Sequence, residues 1–434
     1  MSVDHCGFVV EVKDIKPHPN ADRLELCYVF GNQVVINKGI LNIGDKAFYV
    51  PSDMQLGFEF CKANNLLRED GGYLENNRHV RCIRLRQEFS DGILLPIKCL
   101  NDFTDTSELR AGDRISVLNG IEIVRKYVPP IQKTKNPQRG GQQKKKESSV
   151  KWKYFAEHED TKQLRYYMDE FKVGDEVVIT EKLHGSSQRT INTISVKQPR
   201  RNKIQQIFDK LLRKKLNPIE EYGYISGTRR TVLESYDDGG YYGNNGFRYP
   251  FHKDLSEKDK LHPGEEIFYE VVGWVNDTTS IMPSQKNEKV SKDFVRKYGD
   301  VTIFTYGCER GTSDMYVYRM TCTLPDGYVV EYPWDLVKLR CEQMGLKTVP
   351  ELTRFRFTTK EDLLGHVANL SELESTIDSR HIMEAICLRR NNMIGYSCFK
   401  YKNESFRILE DLIKASGVAD IEEQESAVEG GETV

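Results

Sequence analysis

Val177–Thr190 reads VVITEKLHGSSQRT, and this stretch decides how the rest of the chain is read. A strand of period two, VVITEK, delivers Lys182 to a turn made by Leu183, His184 and Gly185. A lysine at such a strand end can point into a cleft. Gly185 lets backbone approach a phosphate closely, and Ser186, Ser187 and Arg189 supply donors just beyond it. Taken alone the pattern says little, since a chain of this length holds roughly two KxxG matches by chance. An exposed lysine at a strand end is spelled with the same letters.

The company downstream raises the odds. In IFYEVVG, residues 267–273, Glu270 sits inside an otherwise apolar strand, where an unpaired carboxylate is expensive to bury and calls for a ribose hydroxyl or a metal. HIMEAICLRR, residues 381–390, repeats the theme with Glu384. For either glutamate, a solvated edge-strand carboxylate is the plainer alternative. In MIGYSCFKYKNES, residues 393–405, alternation sends Lys400 and Lys402 to one face and Phe399 and Tyr401 to the other. Two cations on one face repel unless an anion lies between them, which favours a phosphate. YISGTRRTVLE, residues 224–234, offers Arg229 and Arg230 after a glycine turn, suited to clamping a phosphate or to a surface ion pair.

Working outward, the first 120 or so residues are short β-type runs between turn signals: GFVVEVKDI, ELCYVFGNQVVINKG, DKAFYVP, HVRCIRLRQEF and SDGILLP. They predict a small closed β-module over residues 1–127. Residues 128–150 are rich in Pro, Gln, Gly and Lys and read as a flexible basic linker. Strands are expected near 176–181, 267–273, 301–306, 315–321, 384–389 and 394–402, and helices in WDLVKLRCEQMG, TTKEDLLGHV and SFRILEDLIKAS. The last places Phe406, Leu409, Leu412 and Ile413 on one face and closes a domain spanning 151–416. Within it, residues 198–218 carry an apolar stripe beside a basic face and suit either a docked helix or one that tracks phosphates. Residues 417–434 form an acidic tail expected to be disordered.

Composition bounds the function. The 434 residues are 38% hydrophobic, and 63 basic residues against 65 acidic leave a net charge of −2, which excludes a globally basic nucleic-acid binder but not local basic patches. The sequence lacks the long apolar run a membrane span needs, and ten scattered cysteines without a CxxC pair point to reduced thiols in a cytoplasmic setting. His18, His79, His158 and His381 lack metal-ligand spacing with cysteine. His184 is expected to stabilise its turn, and Cys387 and Cys398 to be small core residues.

The order EKLHG, TRR, FYEVVG, MYVYRM, MEAICLR, FKYK resembles that of the covalent nucleotidyltransferases. Within that superfamily it is most similar to ATP-dependent RNA ligases with an N-terminal OB module. The resemblance runs from about residue 8 to 415. It includes the approach segment KYFAEHEDTKQLRYY and the leader VVEVKDIKPHPNADRLELCYVF, which is also similar to tRNA-binding OB modules. It implies an α+β architecture: an OB-type β-barrel followed by an ATP-grasp-like nucleotidyltransferase domain of antiparallel sheets with flanking helices. It makes Lys182 the nucleophile that takes up AMP, with Lys400 and Lys402 on the α-phosphate. Glu181, Gly185, Arg189, Arg229, Glu270 and Tyr318 become nucleotide contacts, Tyr318 by stacking on adenine. Glu384, with Glu270, becomes the seat of a magnesium or manganese ion. Two departures touch local backbone: Ala385 follows the motif glutamate where Gly is usual, and Tyr269 precedes Glu270 where Gly is frequent.

An amine attacks phosphorus only when unprotonated, so neighbouring positive charge is needed to depress the proton affinity of the lysine. The implied reaction is ATP-dependent sealing of 3′-hydroxyl and 5′-phosphate RNA ends, on a nicked or bridged duplex. No membrane or obligate protein partner is indicated. Only 32 residues follow Lys402, too few for the trailing OB domain of DNA ligases and capping enzymes. The leading module is then the second grip on RNA, through Lys13, Lys16, Arg23, Arg84 and Arg86 with Tyr28 nearby. Two rival readings stay open: a tRNA-binding adaptor with an inactive nucleotidyltransferase domain, and a GTP-using capping guanylyltransferase.

Overall fold

The computed structural model describes residues 5–128, 150–155, 158–197, 199, 217–229, 231–237, 242–243, 245–288, 290–370, 372–391 and 395–415, with side chains to 410 in the last helix. Most of the linker, the basic insertion and the acidic tail, with Arg230 and the side chains of Leu412 and Ile413, lie outside them. The chain divides into two compact units, one of 1–130 with 162–168 and 404–418, the other holding the remainder.

The first unit is built on four antiparallel strands in the order Arg114–Ile115, Gly7–Glu11, Lys46–Val50, Ile93–Pro96. Alternation buries both of its faces. Phe8, Val10, Ala47 and Tyr49 pack with Val34 and Ile36 in one apolar cluster. Val9, Phe48 and Val50 pack in another with Leu56 and Phe60, so GFVV is apolar without interruption because each face has its own core. A meander of Ile15–Pro17, Leu24–Val29 and Asn32–Asn37 forms a further sheet. The run HVRCIRLRQEF is not one strand. It folds back as a hairpin, Cys82–Leu85 against Glu88–Asp91, over a two-residue turn in which Arg86 and Gln87 have φ of 48° and 77°. Such a turn normally recruits Asn or Gly. A short helix, Phe58–Ala63, also enters the β-module, driven by the burial of Phe60 and Cys61.

A buried ionic knot joins the distant segments of this unit. Asp91 is 0% exposed and accepts from Ser52 Oγ at 2.6 Å and from the Arg407 guanidinium at 2.7 Å, with Arg165 at 3.5 Å. Burial works against the Arg407 charge, but Asp91 outweighs it and holds that side chain protonated beyond its ordinary range. Tyr166 stacks on Phe8 at 4.6 Å. Helix Glu404–Ala415, with Phe406, Ile408 and Leu409 buried, therefore belongs to the first unit despite following the second in sequence.

The second unit contains two antiparallel sheets. One runs Val232–Leu233, Ile219–Gly227, Ser186–Lys197, Glu265–Gly273, Ser313–Thr323, Val329–Glu331; the other runs Cys398–Lys402, Ala385–Arg390, Glu176–Lys182, Glu351–Arg356. The turn 183–185 carries the chain from one sheet to the other, which puts Lys182 at the junction. Helices Trp334–Met344 and Lys360–Leu370 form where expected, the first ending on Gly345 at φ 65°. Helix Tyr249–Glu257, with proline in its first turn, was not anticipated. The expected strand over 301–306 shrinks to Val301–Thr302. Its remainder packs Phe304 and Tyr306 into the core, Tyr306 at φ 51°. Among the described residues no helix is long and apolar enough to cross a membrane.

Candidate active site

Lys182 lies directly across from Ala385, and Ala385 directly across from Lys402. One row further along, Thr180, Cys387 and Lys400 align in the same way. Directly opposed residues share a face, so Lys182, Lys400 and Lys402 project from one side of the sheet. Ala385 is the small residue that separates the two lysines of its row.

Glu384 organises this face. Lys182 Nζ donates to both of its carboxylate oxygens, at 2.8 and 2.7 Å, and His184 Nδ1 lies 3.6 Å away. Burial opposes the charge on Glu384, yet Lys182, His184 and Lys402 together hold its carboxyl well below the usual carboxylate range. Lys400 is driven the other way. Burial, then the charges of Lys402, Arg229 and Lys182, depress its ammonium from 10.5 to about 8. Cations gathered so closely that one loses proton affinity form a pocket for an anion.

The turn is braced from below. The His184 N–H donates to Tyr306 Oη at 2.6 Å, and the His184 ring meets Phe304 edge-on at 4.9 Å. The residues that leave the expected strand at 301–306 thus end under the turn, where Tyr306 presents its hydroxyl. The Gly185 N–H donates to Glu270 Oε1 at 3.1 Å. A Cβ on Gly185 would fall 2.5 Å from the Val271 carbonyl oxygen, so glycine is required by close approach.

Glu270, 8% exposed, faces Ser187 on one side and Tyr316 on the other. Tyr318 is the extra residue of a β-bulge between the Phe268–Arg319 and Tyr269–Val317 pairs, which turns its ring out of the ladder. Its hydroxyl bonds Ser187 Oγ at 2.9 Å and His158 Nε2 at 3.2 Å. Arg229, half-buried, pairs with Asp160 at 3.2 Å. His158 and Asp160, in the approach segment, thus hold Tyr318 and Arg229. Burial, then Arg229 and Arg319, keep the His158 imidazole well below its usual range and neutral. No motif spacing marked either residue. Their only signal was the approach segment as a whole.

Two sequence candidates stand apart. Alternation turns Glu181 away from Lys182, and its buried carboxylate accepts from Thr376 N at 3.0 Å and Thr376 Oγ1 at 2.7 Å. Burial raises its carboxyl above the ordinary value. Arg189 is 3% exposed, paired with Glu266 at 3.1 Å and stacked on Phe155 at 3.9 Å. In the first unit Lys13, Lys16, Arg23, Arg84 and Arg86 are all exposed. His18 Nε2 meets the Leu85 carbonyl at 3.2 Å, and Asn20 Nδ2 donates to the Arg86 carbonyl at 3.1 Å. These bonds draw the Lys16–Arg23 loop onto the Arg84–Arg86 hairpin, and Lys16 lies over the Tyr28 ring at 4.8 Å. Lys16, Arg23, Arg84 and Arg86 thereby flank one region bearing an aromatic.

Family models match the chain in two places: an OB-fold domain over residues 7–97 and an RNA ligase over residues 175–402. No curated protein sequence matches. Among solved structures, RNA ligase of Naegleria gruberi with PPi is 15% identical, with a TM-score of 0.59 over 93% of this chain and 97% of that one. A lysine-to-methionine variant of that ligase with AMP and Mn gives 14% identity and 0.58 over 93% and 98%. A glutamate-to-alanine variant with ATP and Mn gives 15% and 0.58 over 93% and 98%. At such identities the likeness is one of fold.

Proposed function

Because the chain belongs to the RNA ligase family, we propose that it uses ATP to join a 3′-hydroxyl to a 5′-phosphate through a lysyl-adenylate on Lys182 and an adenylated RNA end. The observation that carries this reading is the convergence of Lys182 with Glu384, Lys400, Lys402 and Arg229 at the junction of two sheets. The Lys182 amine, paired with Glu384, stands there beside Lys400, Lys402 and the Arg229–Asp160 pair.

In the resting arrangement Lys182 is held in an ammonium–carboxylate pair, which favours its non-nucleophilic form. Entry of a triphosphate with its divalent ion rearranges these charges. The phosphates take up Lys400 and Lys402, and Glu384 would turn from Lys182 toward a divalent ion carried with them. Lys182 gives up its ammonium proton to solvent and attacks the α-phosphorus in line; the bond from that phosphorus to the bridging oxygen breaks, pyrophosphate departs with the electron pair, and AMP is left on Nζ. The adenylate passes to an RNA 5′-phosphate, and a 3′-hydroxyl displaces AMP to seal the ends. Tyr318, set by Ser187 and His158, stacks on adenine, and Glu270 beside the Gly185 turn receives the ribose.

Magnesium or manganese belongs to the co-substrate. Among the described residues no group of three His, Cys, Asp or Glu side chains is arranged to hold a metal. Glu384 and Glu270 suit an ion that keeps phosphate oxygens and water as most of its ligands, and the ion supplies charge neutralisation at the phosphates. The ATP, AMP, PPi and Mn of the Naegleria gruberi structures support the same co-substrate and ion. RNA is held by the catalytic face and by the basic region around Lys16, Arg23, Arg84 and Arg86, with a nicked or bridged duplex in a cytoplasmic setting as the favoured substrate.

Incubation with α-labelled ATP and either ion should label the wild-type protein and leave Lys182→Ala bare. Unlabelled wild type, or undiminished label in the variant, overturns the reading. Label from GTP in preference to ATP would favour a capping enzyme. A panel of nicked duplexes differing only in the 3′-terminal sugar then defines the strand that must be RNA.

A further inference from the structure

Two cysteines on the catalytic face take part in no step above. Cys387 lies directly across from Lys400, and Cys398 directly across from Arg389. Opposed residues share a face, so both thiols point to the side that carries Lys182, Lys400 and Lys402. They occupy one diagonal of a two-by-two block on adjacent strands, near enough for each thiol to shift the other's proton affinity. Cys387 is 8% exposed and Cys398 5%, so both are enclosed by protein beside the half-buried Lys400.

The surroundings single out one of them. The neighbouring Cys387 thiol, the Arg389 guanidinium opposite and the Tyr396 hydroxyl all favour its thiolate. Together these outweigh burial and lower the Cys398 thiol below its ordinary value. Burial pushes Cys27, Cys61 and Cys308 up to about 11, and Cys99 and Cys341 up to about 12. Among the described residues these two are the thiols on adjacent strands of the catalytic sheet, and the surroundings favour the thiolate at Cys398.

We propose that Cys387 and Cys398 form a peroxide-oxidisable dithiol, a modification site on the catalytic face whose closure to a disulfide displaces Lys400. The Cys398 thiolate attacks one oxygen of hydrogen peroxide, breaking the O–O bond; a sulfenic acid forms and hydroxide leaves, taking up a proton as water. The Cys387 thiol gives up its proton, and its sulfur displaces the sulfenic hydroxyl, which departs as the second water. Two thiols and one peroxide become one disulfide and two waters.

Geometry ties this bond to the site. Diagonal neighbours on adjacent strands have Cα atoms roughly 7–8 Å apart, whereas a disulfide needs roughly 4.4–6.8 Å. Closure must draw strand Cys398–Lys402 along Ala385–Arg390. Lys400, two residues from Cys398 and directly across from Cys387, moves with it. A bond under such strain is readily reduced, so the modification is reversible.

The loss of activity rests on the ligase reading; the bond itself does not. The full-length reduced protein is treated with hydrogen peroxide and read by intact mass, non-reducing peptide mapping and formation of the lysyl-adenylate. The expected result is a mass lower by two hydrogens and a peptide linking Cys387 to Cys398. Adenylation should fall by about a hundredfold, the size of a misplacement near 1 Å. Dithiothreitol should restore it. Cys387→Ala and Cys398→Ala should each keep adenylation before treatment and resist its loss afterwards. Absence of the linked peptide in wild type, equal inactivation of the alanine variants, or a linked protein of undiminished activity each overturns the proposal. If untreated protein takes up no adenylate, the ligase reading fails, while the linked peptide still decides the dithiol.

Discussion

Lys400 should take up a proton when a triphosphate binds. Its ammonium is depressed from 10.5 to about 8 in the ligand-free protein by burial and by Lys402, Arg229 and Lys182. At pH 9 a group of that strength is about 10% protonated; phosphates beside it that restore the ordinary value make it about 97% protonated, an uptake of about 0.9 proton. At pH 7 the two states differ by only about 0.1 proton. Calorimetric titration with a non-hydrolysable ATP analogue, in buffer pairs of different ionisation enthalpy, measures this number directly. A Lys400→Met variant separates it from other groups. Uptake that does not rise between pH 7 and 9, or that persists in the variant, refutes the placement of Lys400 against the phosphates. The same depression has a signature in stability. Between about pH 8 and 10.5 the unfolded chain holds the proton that the folded one has lost, so the ligand-free protein gains stability as pH climbs through that window. Below pH 8 the full penalty applies. The shift bounds it at about 3 kcal/mol, and partial solvation of the side chain leaves ~1–2 kcal/mol to be read from urea midpoints.

Asp91→Asn strips the buried charge that Arg407 and Arg165 share and should lower unfolding stability by about 3–5 kcal/mol, with Arg407→Met in the same chain recovering part of the loss. An effect under about 1 kcal/mol in chemical denaturation would rule out a buried knot. Gly185→Ala forces its Cβ against the Val271 carbonyl and should lower stability by about 1–3 kcal/mol while abolishing adenylation. A labelled, stable variant would contradict the close approach. Tyr318→Phe loses the bonds to Ser187 and His158 but keeps its ring, so ATP should bind up to about tenfold more weakly. Tyr318→Ala should lose more than Tyr318→Phe in the same assay, and equal losses would exclude stacking.

Local chemistry made the reactive half of this protein readable along the chain. Period-two strands expose which residues share a face, so Lys400 and Lys402 could be grouped before any fold was known, and a carboxylate in an apolar strand, as at Glu270 and Glu384, declares that it needs a partner. Glycine before a run of donors announced a tight turn after Lys182. Choices made by distant packing left no such mark. The hairpin at Arg86–Gln87 carries neither Asn nor Gly, so no turn residue marks the reversal that pairs Cys82–Leu85 with Glu88–Asp91. Helix Glu404–Ala415 joins the first unit through Arg407 and the buried Asp91, more than three hundred residues away in sequence. His158 and Asp160 meet Tyr318 and Arg229 only after strands from four regions are laid side by side. Letters specify which groups a residue can offer; which of those groups finds another depends on closing long loops, and only the assembled sheets make that decision.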